Sequence, residues 1–258
     1  MTDFLDTLAM DATKTIDSGY YKAESPRKNT KISLKQAILK CKHNPIISEI
    51  KAASPSLGTI RNNINISYIA KAMEKGGATG ISVLTEPKHF NGSLAALKQA
   101  RATTKLPLLM KDIIIVADQI EVGAQIGANA VLLIQTLFER GYCEMSVEKT
   151  ISFAHLKGLE VLLETHTEQE FQTAVETEAD LIGINNRSLK TLKIDLNTTR
   201  MILEKNKTPN KLVVTESGIK NPADLKLLKS YGANAFLIGS SIMLSKNIGE
   251  KIEEFVYA

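Results

Sequence analysis

Short apolar segments recur along this chain, separated by longer amphipathic ones. The apolar runs lie at residues 46–50, 80–84, 106–110, 129–134, 159–164, 180–184, 211–215 and 235–239. Most are rich in Leu or β-branched residues and do not alternate with polar positions, which is typical of strands covered on both faces of a parallel sheet. The amphipathic segments lie at 67–75, 94–103, 117–126, 146–157, 168–177, 197–204, 223–230 and 248–256. The pattern therefore predicts eight β-α units.

The spacing of these units favours a closed barrel over an open sheet. Strand starts recur every ~20 to 35 residues, and eight units in ~210 residues match a (β/α)8 TIM barrel. An open dinucleotide-binding sheet would place a Gly-rich turn after its first strand, whereas the glycines at 76–80 precede a strand. We expect one α/β domain over 1–258. Residues 1–42, with helices predicted at 3–14 and 33–42 and a loop at 25–27, would form a helical extension packed on the barrel.

Composition narrows the classes of ligand. The chain has 258 residues, 43% hydrophobic, with 32 basic and 28 acidic residues. A net charge of +4 without blocks of like charge suits small anionic ligands and gives no reason to expect nucleic acid. Cys41 and Cys143 lie far apart and the four histidines do not cluster. We therefore expect reduced thiols and no bound metal.

The termini and apolar runs also bear on location. The sequence at 1–3 lacks the basic and apolar regions of a signal peptide. The longest uncharged run, 122–138, contains polar residues and is shorter than a typical transmembrane helix. We therefore predict that it forms a helix, a loop and a buried strand. These features predict a cytoplasmic protein that does not bind membranes.

Polar residues gather where the predicted strands end. The strand-end residues are Glu49, Lys51, Lys111, Asp112, Glu164, His166, Asn185, Arg187, Glu216, Ser217, Ser240 and Ser241. Residues two apart in a strand share a side, so Glu49 and Lys51 should be neighbours. Any one such charge could simply solvate the rim, but six strands ending this way predict a reaction site, since barrel enzymes build theirs at this face. We expect Asp112 to be structural, and His166 to face away or cap the next helix.

The last two predicted strands carry a different signal. Gly218 follows one, and Gly239 and Ser240 follow the other at the start of a short helix. Backbone N–H groups at such positions bind phosphate, and the loops after strands 7 and 8 are the usual phosphate site of this fold.

Taken together, these motifs resemble one family. They lie at 47–56, 83–86, 90–92, 109–112, 162–166, 183–187, 215–219 and 237–240. They span nearly the whole chain in order, and they resemble indole-3-glycerol-phosphate synthase, a tryptophan-biosynthesis enzyme of the ribulose-phosphate-binding barrel superfamily. The resemblance implies a cofactor-free lyase that closes, decarboxylates and dehydrates 1-(2-carboxyphenylamino)-1-deoxyribulose 5-phosphate.

The resemblance also implies roles for individual residues. Lys111 would be the general acid, Glu164 would serve in the loss of water, and Lys51 would contact the substrate and act as a second-stage acid. Glu49 would hold Lys51, Asn185 would position a substrate hydroxyl, and Glu216 would shape the electrostatics. The implied substrate contacts are Ser54, Phe90, Arg187 and Ser217, and the implied phosphate contacts are Gly218, Gly239 and Ser240. Apolar walls would come from Phe90, Ile113 and Leu132 or Leu133.

The sequence departs from the family pattern at two positions, and two alternative functions stay open. The family often has an aromatic residue at the position of Ile113, and Val at the position of Thr165. Another ribulose-phosphate barrel enzyme, such as phosphoribosylanthranilate isomerase, would use a Cys and an Asp. A non-catalytic phosphate-binding barrel would have lost its charged rim. The expected partners are a phosphorylated small molecule and enzymes of tryptophan synthesis, with the chain a monomer or weak homodimer.

Overall fold

The structure, a computed structural model, describes residues 3–22, 32–54, 58–61, 64–206 and 211–258, without the side chain of Ser54. The strands are β1 (Ile46–Ile50), β2 (Ala53–Ser54), β3 (Gly58–Thr59), β4 (Gly80–Leu84), β5 (Leu108–Lys111), β6 (Ala130–Ile134), β7 (Glu160–Thr165), β8 (Leu181–Asn185), β9 (Leu212–Glu216) and β10 (Ala235–Ile238). The helices are α1 (Phe4–Asp17), α2 (Leu34–Lys40), α3 (Ile66–Lys75), α4 (Leu94–Thr103), α5 (Ala117–Ile126), α6 (Gln135–Glu139), α7 (Val147–Leu156), α8 (Glu168–Val175), α9 (Asn197–Lys205), α10 (Pro222–Ser230), α11 (Ser240–Leu244) and α12 (Ile248–Val256). In these ranges every helix falls short of the length and apolar character needed to cross a membrane.

Within the described residues, eight parallel strands close into a barrel. Their order is β1, β10, β9, β8, β7, β6, β5 and β4, and β1 pairs with both β10 and β4. The predicted (β/α)8 fold is thus confirmed, with strand boundaries displaced by one or two residues. Strand β5 begins at Leu108, not at the predicted 106, because Pro107 has no N–H to give to the ladder.

Three small elements were not predicted. Helix α6 continues directly from β6, where the sequence indicated only helix, loop and strand. The short antiparallel pair β2–β3 lies in the loop after β1. The predicted loop at 25–27 and the last two residues of the motif at 47–56 lie outside the described residues.

Alternation along the strands separates two apolar layers. Ile46, Val131 and Ile182 point outward and pack among the surrounding helices. Ile47 and Leu132 belong to a second cluster inside the barrel, together with Leu109, Leu162, Val214 and Leu237. Since side chains change sides at each residue, the inward positions at the carboxyl ends of the strands follow directly from this pattern.

Helix α2 closes the amino-terminal end of the barrel. The carboxylate of Glu160 accepts hydrogen bonds from the backbone N–H groups of Leu34 (2.7 Å) and Lys35 (3.0 Å), and from the hydroxyl of Ser33. The side chain of Leu34 is fully buried and lies against Gly80 of β4. This end of the barrel is therefore plugged, and the opposite end carries the cavity.

Helix α1 is fastened to the cavity end by charged groups. Arg140 donates from Nη1 to Asp3 (2.8 Å) and Asp6 (2.6 Å), and Tyr142 donates to Asp6 (2.9 Å). Further along the helix, buried Asp11 pairs with Lys88 at 2.7 Å.

Two tyrosines hold the segment that follows α1. Tyr20 donates to the carbonyl of Thr85 (3.1 Å), and Tyr21 donates to Asp112 (2.9 Å). Asp112 also accepts from the N–H of Ile113 and from the hydroxyl of Thr85. The structural role predicted for Asp112 is confirmed, and this network ties the segment after α1 to the loops following β4 and β5.

Candidate active site

The inward residue at the carboxyl end of five strands is polar. Glu49 of β1, Lys111 of β5, Glu164 of β7, Asn185 of β8 and Glu216 of β9 all line one cavity of about 480 Å³. Lys51, two residues beyond Glu49, lines it as well. The strand-end side chains predicted to form a ring are therefore brought together.

Lys111 lies between two carboxylates. Its Nζ is 3.1 Å from Oε2 of Glu164 and 2.6 Å from Oε2 of Glu216. Burial alone would lower the pKa of Lys111, but the nearby charges of Glu164, Glu216 and Glu49 raise it well above its usual range. Lys111 is thus a fully charged ammonium group, able to donate a proton or to stabilise a negative oxygen.

The two carboxylates that flank Lys111 differ in proton affinity. Burial would raise the pKa of Glu164, but Lys111 and His166 hold it well below its usual value. Burial raises the pKa of Glu216 to about 7, and Lys111 offsets this only in part. Among the described residues, the buried Oε1 of Glu216 has no hydrogen-bond partner. A site in which one carboxyl is ionised and its neighbour holds a proton more readily can both accept and donate protons near neutral pH.

The ion pair predicted beside this group is formed. Nζ of Lys51 lies 2.5 Å from Oε1 of Glu49, and the Glu49 side chain is almost fully buried. A Cβ on Gly239 would lie only 2.5 Å from that same carboxylate oxygen, so glycine at this position makes room for Glu49. Gly183 of β8 does the same for Oε1 of Glu216, at 2.7 Å. Sequence reasoning had linked Gly239 only to phosphate and had given Gly183 no role.

One end of the cavity is rich in glycine and serine backbone. Ser217 and Gly218 adopt positive φ values of 66° and 91°, and both line the cavity. Gly239 and Ser240 line it too, at the start of α11. Ser217 is a non-glycine residue in the left-handed region, a conformation that costs free energy and often occurs at ligand sites. The residues predicted to bind phosphate therefore lie together.

The opposite walls are apolar. Phe90, Ile113 and Leu132 line the cavity as predicted, whereas Leu133 points outward into the helical layer. Other apolar side chains that line the cavity include Phe4, Leu8, Leu84, Ile134, Leu189, Leu192 and Ile194, and of these Ile194 lies against Gly218 at the glycine-rich end. Sequence reasoning missed Phe4 and Leu8 of α1. The available signal was their spacing on one apolar face of an amphipathic helix.

Three residues with implied substrate contacts lie at or after the ends of β8 and β1: Asn185, Arg187 and Ser54. Oδ1 of Asn185 accepts from the N–H of Arg187 (3.0 Å), and Arg187 donates to the carbonyl of Leu192 (3.1 Å). Burial lowers the pKa of Arg187. Ser54 belongs to β2, and its side chain lies outside the described residues. The roles implied for all of these residues stay predictions.

His166 was expected to face away from the neighbours of Glu164 or to cap the next helix, and neither is observed, since its ring contacts Glu164 and the N-cap of α8 is Thr167. Nε2 of its imidazole lies 3.1 Å from Oε1 of Glu164, and Nδ1 lies 3.4 Å from Oε2 of Glu170. The ring is held at this position because Glu170, near the start of α8, also accepts the backbone N–H of His166 at 2.8 Å.

Across the described ranges, no group of three or more His, Cys, Asp or Glu side chains has an arrangement suited to a metal ion. The polar lining of the cavity includes the ion pairs of Lys111 and Lys51 with Glu164, Glu216 and Glu49, and the Gly/Ser segments after β9 and β10. Ammonium and carboxylate groups placed in this way can donate and accept protons.

Comparison of the sequence with known proteins identifies one family. The family model described as indole-3-glycerol phosphate synthase matches residues 8–255. The indole-3-glycerol phosphate synthase of Methanocaldococcus jannaschii is 48% identical over 233 residues, which are 89% of this chain and 85% of that relative. That of Caldanaerobacter subterraneus subsp. tengcongensis is 45% identical over 214 residues, covering 82% and 79%.

Solved structures of other enzymes share the fold. A thiamine phosphate pyrophosphorylase from Pyrococcus furiosus superposes with a TM-score of 0.60 at 19% identity, covering 84% of this chain and 95% of that one. An N-acetylmannosamine-6-phosphate 2-epimerase from Clostridium perfringens gives 0.61 at 15% identity, covering 85% and 93%. At such identities the likeness concerns the fold alone.

Proposed function

The chain belongs to the indole-3-glycerol phosphate synthase family, and from this premise we propose that it converts 1-(2-carboxyphenylamino)-1-deoxyribulose 5-phosphate to indole-3-glycerol phosphate, carbon dioxide and water. The observation that carries the proposal is the charged Lys111, largely shielded from solvent, between Glu164 and Glu216. The substrate has an aromatic acid at one end and a phosphate at the other, and the cavity has apolar walls opposite a Gly/Ser backbone end.

The cavity suggests how the substrate is oriented. The phosphate would accept hydrogen bonds at Gly218, Gly239 and Ser240, where backbone N–H groups favour anions. The anthranilate ring would pack against Phe90 and Leu132. Further implied contacts to the anionic groups are Arg187, Ser217 and Ser54.

Lys111 would act in the first stage. As the ring carbon attacks the ketone and a carbon–carbon bond forms, the ketone oxygen gains negative charge, and Lys111 would protonate it. The bond to the carboxylate then breaks, its electrons restore the aromatic ring, and carbon dioxide leaves. Because the surrounding carboxylates outweigh the effect of burial and keep the ammonium group charged until this moment, its effect falls on the transition state.

Lys51 and Glu164 would act in the second stage. Loss of the hydroxyl as water needs a proton donor at that oxygen and a base that takes a proton from the substrate. Lys51, oriented by Glu49, would donate, and the ionised Glu164 would accept. Asn185 would hold a substrate hydroxyl in place.

The test is direct turnover. The protein is incubated with the carboxyphenylamino substrate, and the fluorescence of the indole product is followed. No product at saturating substrate would refute the proposed function. Lys111→Ala should lower kcat by about 100-fold to 10,000-fold while substrate binding remains measurable. Lys105→Ala, an exposed lysine preceding the same strand, is the control and should leave kcat unchanged. Near-normal turnover in Lys111→Ala would reassign the acid to Lys51.

The remaining expectations belong to the same proposal. The chain would act as one unit over 1–258 in the cytoplasm, as a monomer or weak homodimer, beside other enzymes of tryptophan synthesis. Sedimentation over a range of protein concentrations tests the oligomeric state, and a stable higher oligomer would contradict it.

A further inference from the structure

The imidazole of His166 is buried next to the cavity. His166 does not line the cavity, and only 9% of its side chain is exposed. Its two ring nitrogens lie 3.1 Å from Glu164 and 3.4 Å from Glu170. Burial disfavours the charged ring, but both carboxylates raise the pKa of His166 to about 9. The ring is therefore an imidazolium at neutral pH.

The local chain fixes this arrangement. His166 directly follows β7, and Thr167 caps α8 by accepting the N–H of Glu170 at 3.1 Å. That cap turns the Glu170 carboxylate back toward His166, where it accepts the backbone N–H and faces the ring.

Glu164 consequently lies between two cations. Oε2 contacts Lys111, and Oε1 contacts the imidazole. The contact with the imidazole is an ion pair at 3.1 Å, outside hydrogen-bond geometry, whereas Lys111 donates a hydrogen bond to Oε2 at 3.1 Å. Rotation of the carboxylate would separate it from one of these two positive charges. Glu216 receives Lys111 on one oxygen, and its other oxygen has no hydrogen-bond partner in the described part of the chain.

We propose that His166 is a positioning residue for the reaction: it fixes the orientation of Glu164 toward the cavity and supplies the second positive charge that keeps this carboxylate ionised. The inference rests on the proposed function, since it concerns the base of that reaction. It explains why the pKa of Glu164 is lowered and that of Glu216 is raised, although both carboxylates contact Lys111.

The kinetic experiment replaces the ring with an uncharged group. His166→Asn should lower kcat about 10-fold with KM changed less than about twofold, because the substrate does not contact the ring. The acidic limb of the kcat–pH profile should move up by about one pH unit, the size expected when an opposite charge within a few ångströms is removed. The matched control is His155→Asn. His155 lies on α7, outside the cavity, and pairs with Asp180 at 2.9 Å, so this variant should leave both quantities unchanged. A wild-type kcat and acidic limb in His166→Asn would overturn the inference.

A second measurement needs neither activity nor the His166 variant. Histidine ring NMR on the wild-type chain should show His166 titrating near pH 9, and in Glu164→Gln this pKa should fall by about one unit or more. Titration near the ordinary value of about 6.5 would overturn the inference even if the enzyme turns over. Conversely, an inactive wild-type chain with a high His166 pKa would refute the proposed function alone.

Discussion

The unusual ionisation of Glu216 predicts that removing its charge stabilises the protein at alkaline pH. Its pKa rises from 4.5 to about 7 on folding, mainly because of burial. Between these values the native chain binds a proton that the unfolded chain has lost, so the free energy of unfolding falls as pH rises through this window. Glu216→Gln cannot ionise and should escape this fall.

The magnitude follows from the two pKa values. Each pKa unit corresponds to about 1.4 kcal/mol, so above pH 7 the ionised carboxylate should destabilise the wild-type fold by about 3 kcal/mol relative to the variant. For a chain of this size, that is roughly 6 to 12 °C in Tm. The attraction to Lys111 at 2.6 Å is already included in the pKa of about 7, and it is too weak to reverse the sign.

The assay is thermal unfolding followed by circular dichroism at pH 5, 6, 7 and 8. The Tm difference between Glu216→Gln and wild type should grow from pH 5 to pH 7 and then level off. Glu253→Gln, an exposed carboxylate on α12, controls for the loss of one negative charge. A difference that is absent at pH 8, or that is independent of pH, would refute the reasoning. The variant should also be a slower enzyme, because it weakens the charged state of Lys111.

Three further changes test other parts of the site. Gly239→Ala places a methyl group 2.5 Å from Oε1 of Glu49, so kcat/KM should fall about 10-fold or more while the far-UV circular dichroism is retained; wild-type kcat/KM would contradict this. Phe4→Ala removes apolar area from the cavity wall and should raise KM about 10-fold, consistent with the loss of about 1.5 to 3 kcal/mol of side-chain burial. The effect on kcat should be smaller. An unchanged KM in steady-state kinetics would mean that α1 does not contact the substrate. Tyr21→Phe removes the hydrogen bond to Asp112 and should lower the free energy of unfolding by about 1 kcal/mol. Because burial raises the pKa of Asp112 to about 6, that loss should be larger at pH 8 than at pH 5 in urea unfolding, and the reverse order would contradict the assignment.

The rim of the barrel could be predicted because its geometry is local. Once a strand is assigned, residues two apart share a side, so Glu49 and Lys51 had to face together, and small errors in strand boundaries did not change this. The same rule resolves the choice between Leu132 and Leu133. Ile134 and Leu132 point inward with the other rim residues, so Leu133 must point outward.

Features that depend on distant contacts could not be predicted. Phe4 and Leu8 belong to the cavity wall only because α1 docks through Arg140, far along the chain. His166 was misjudged although it lies two residues beyond Glu164, the same spacing that places Lys51 beside Glu49. Its position against Glu164 is supported by Glu170 of α8, which accepts the backbone N–H of His166 and faces the ring. The Thr-x-x-Glu spacing was the signal present in the sequence.

The docking of α1 also sets an order of assembly. Its anchors on Arg140 and Tyr142 are made 134 to 137 residues after Asp3 and Asp6. At about 5 to 20 residues per second, the ribosome needs roughly 7 to 27 s to supply them. During that interval α1 lacks these anchors, although other partners such as Lys88 are already made. The wall of the cavity that is synthesised first is therefore fastened only after Arg140 and Tyr142 follow, and until then Leu5 and Leu8 lack part of the cluster that buries them.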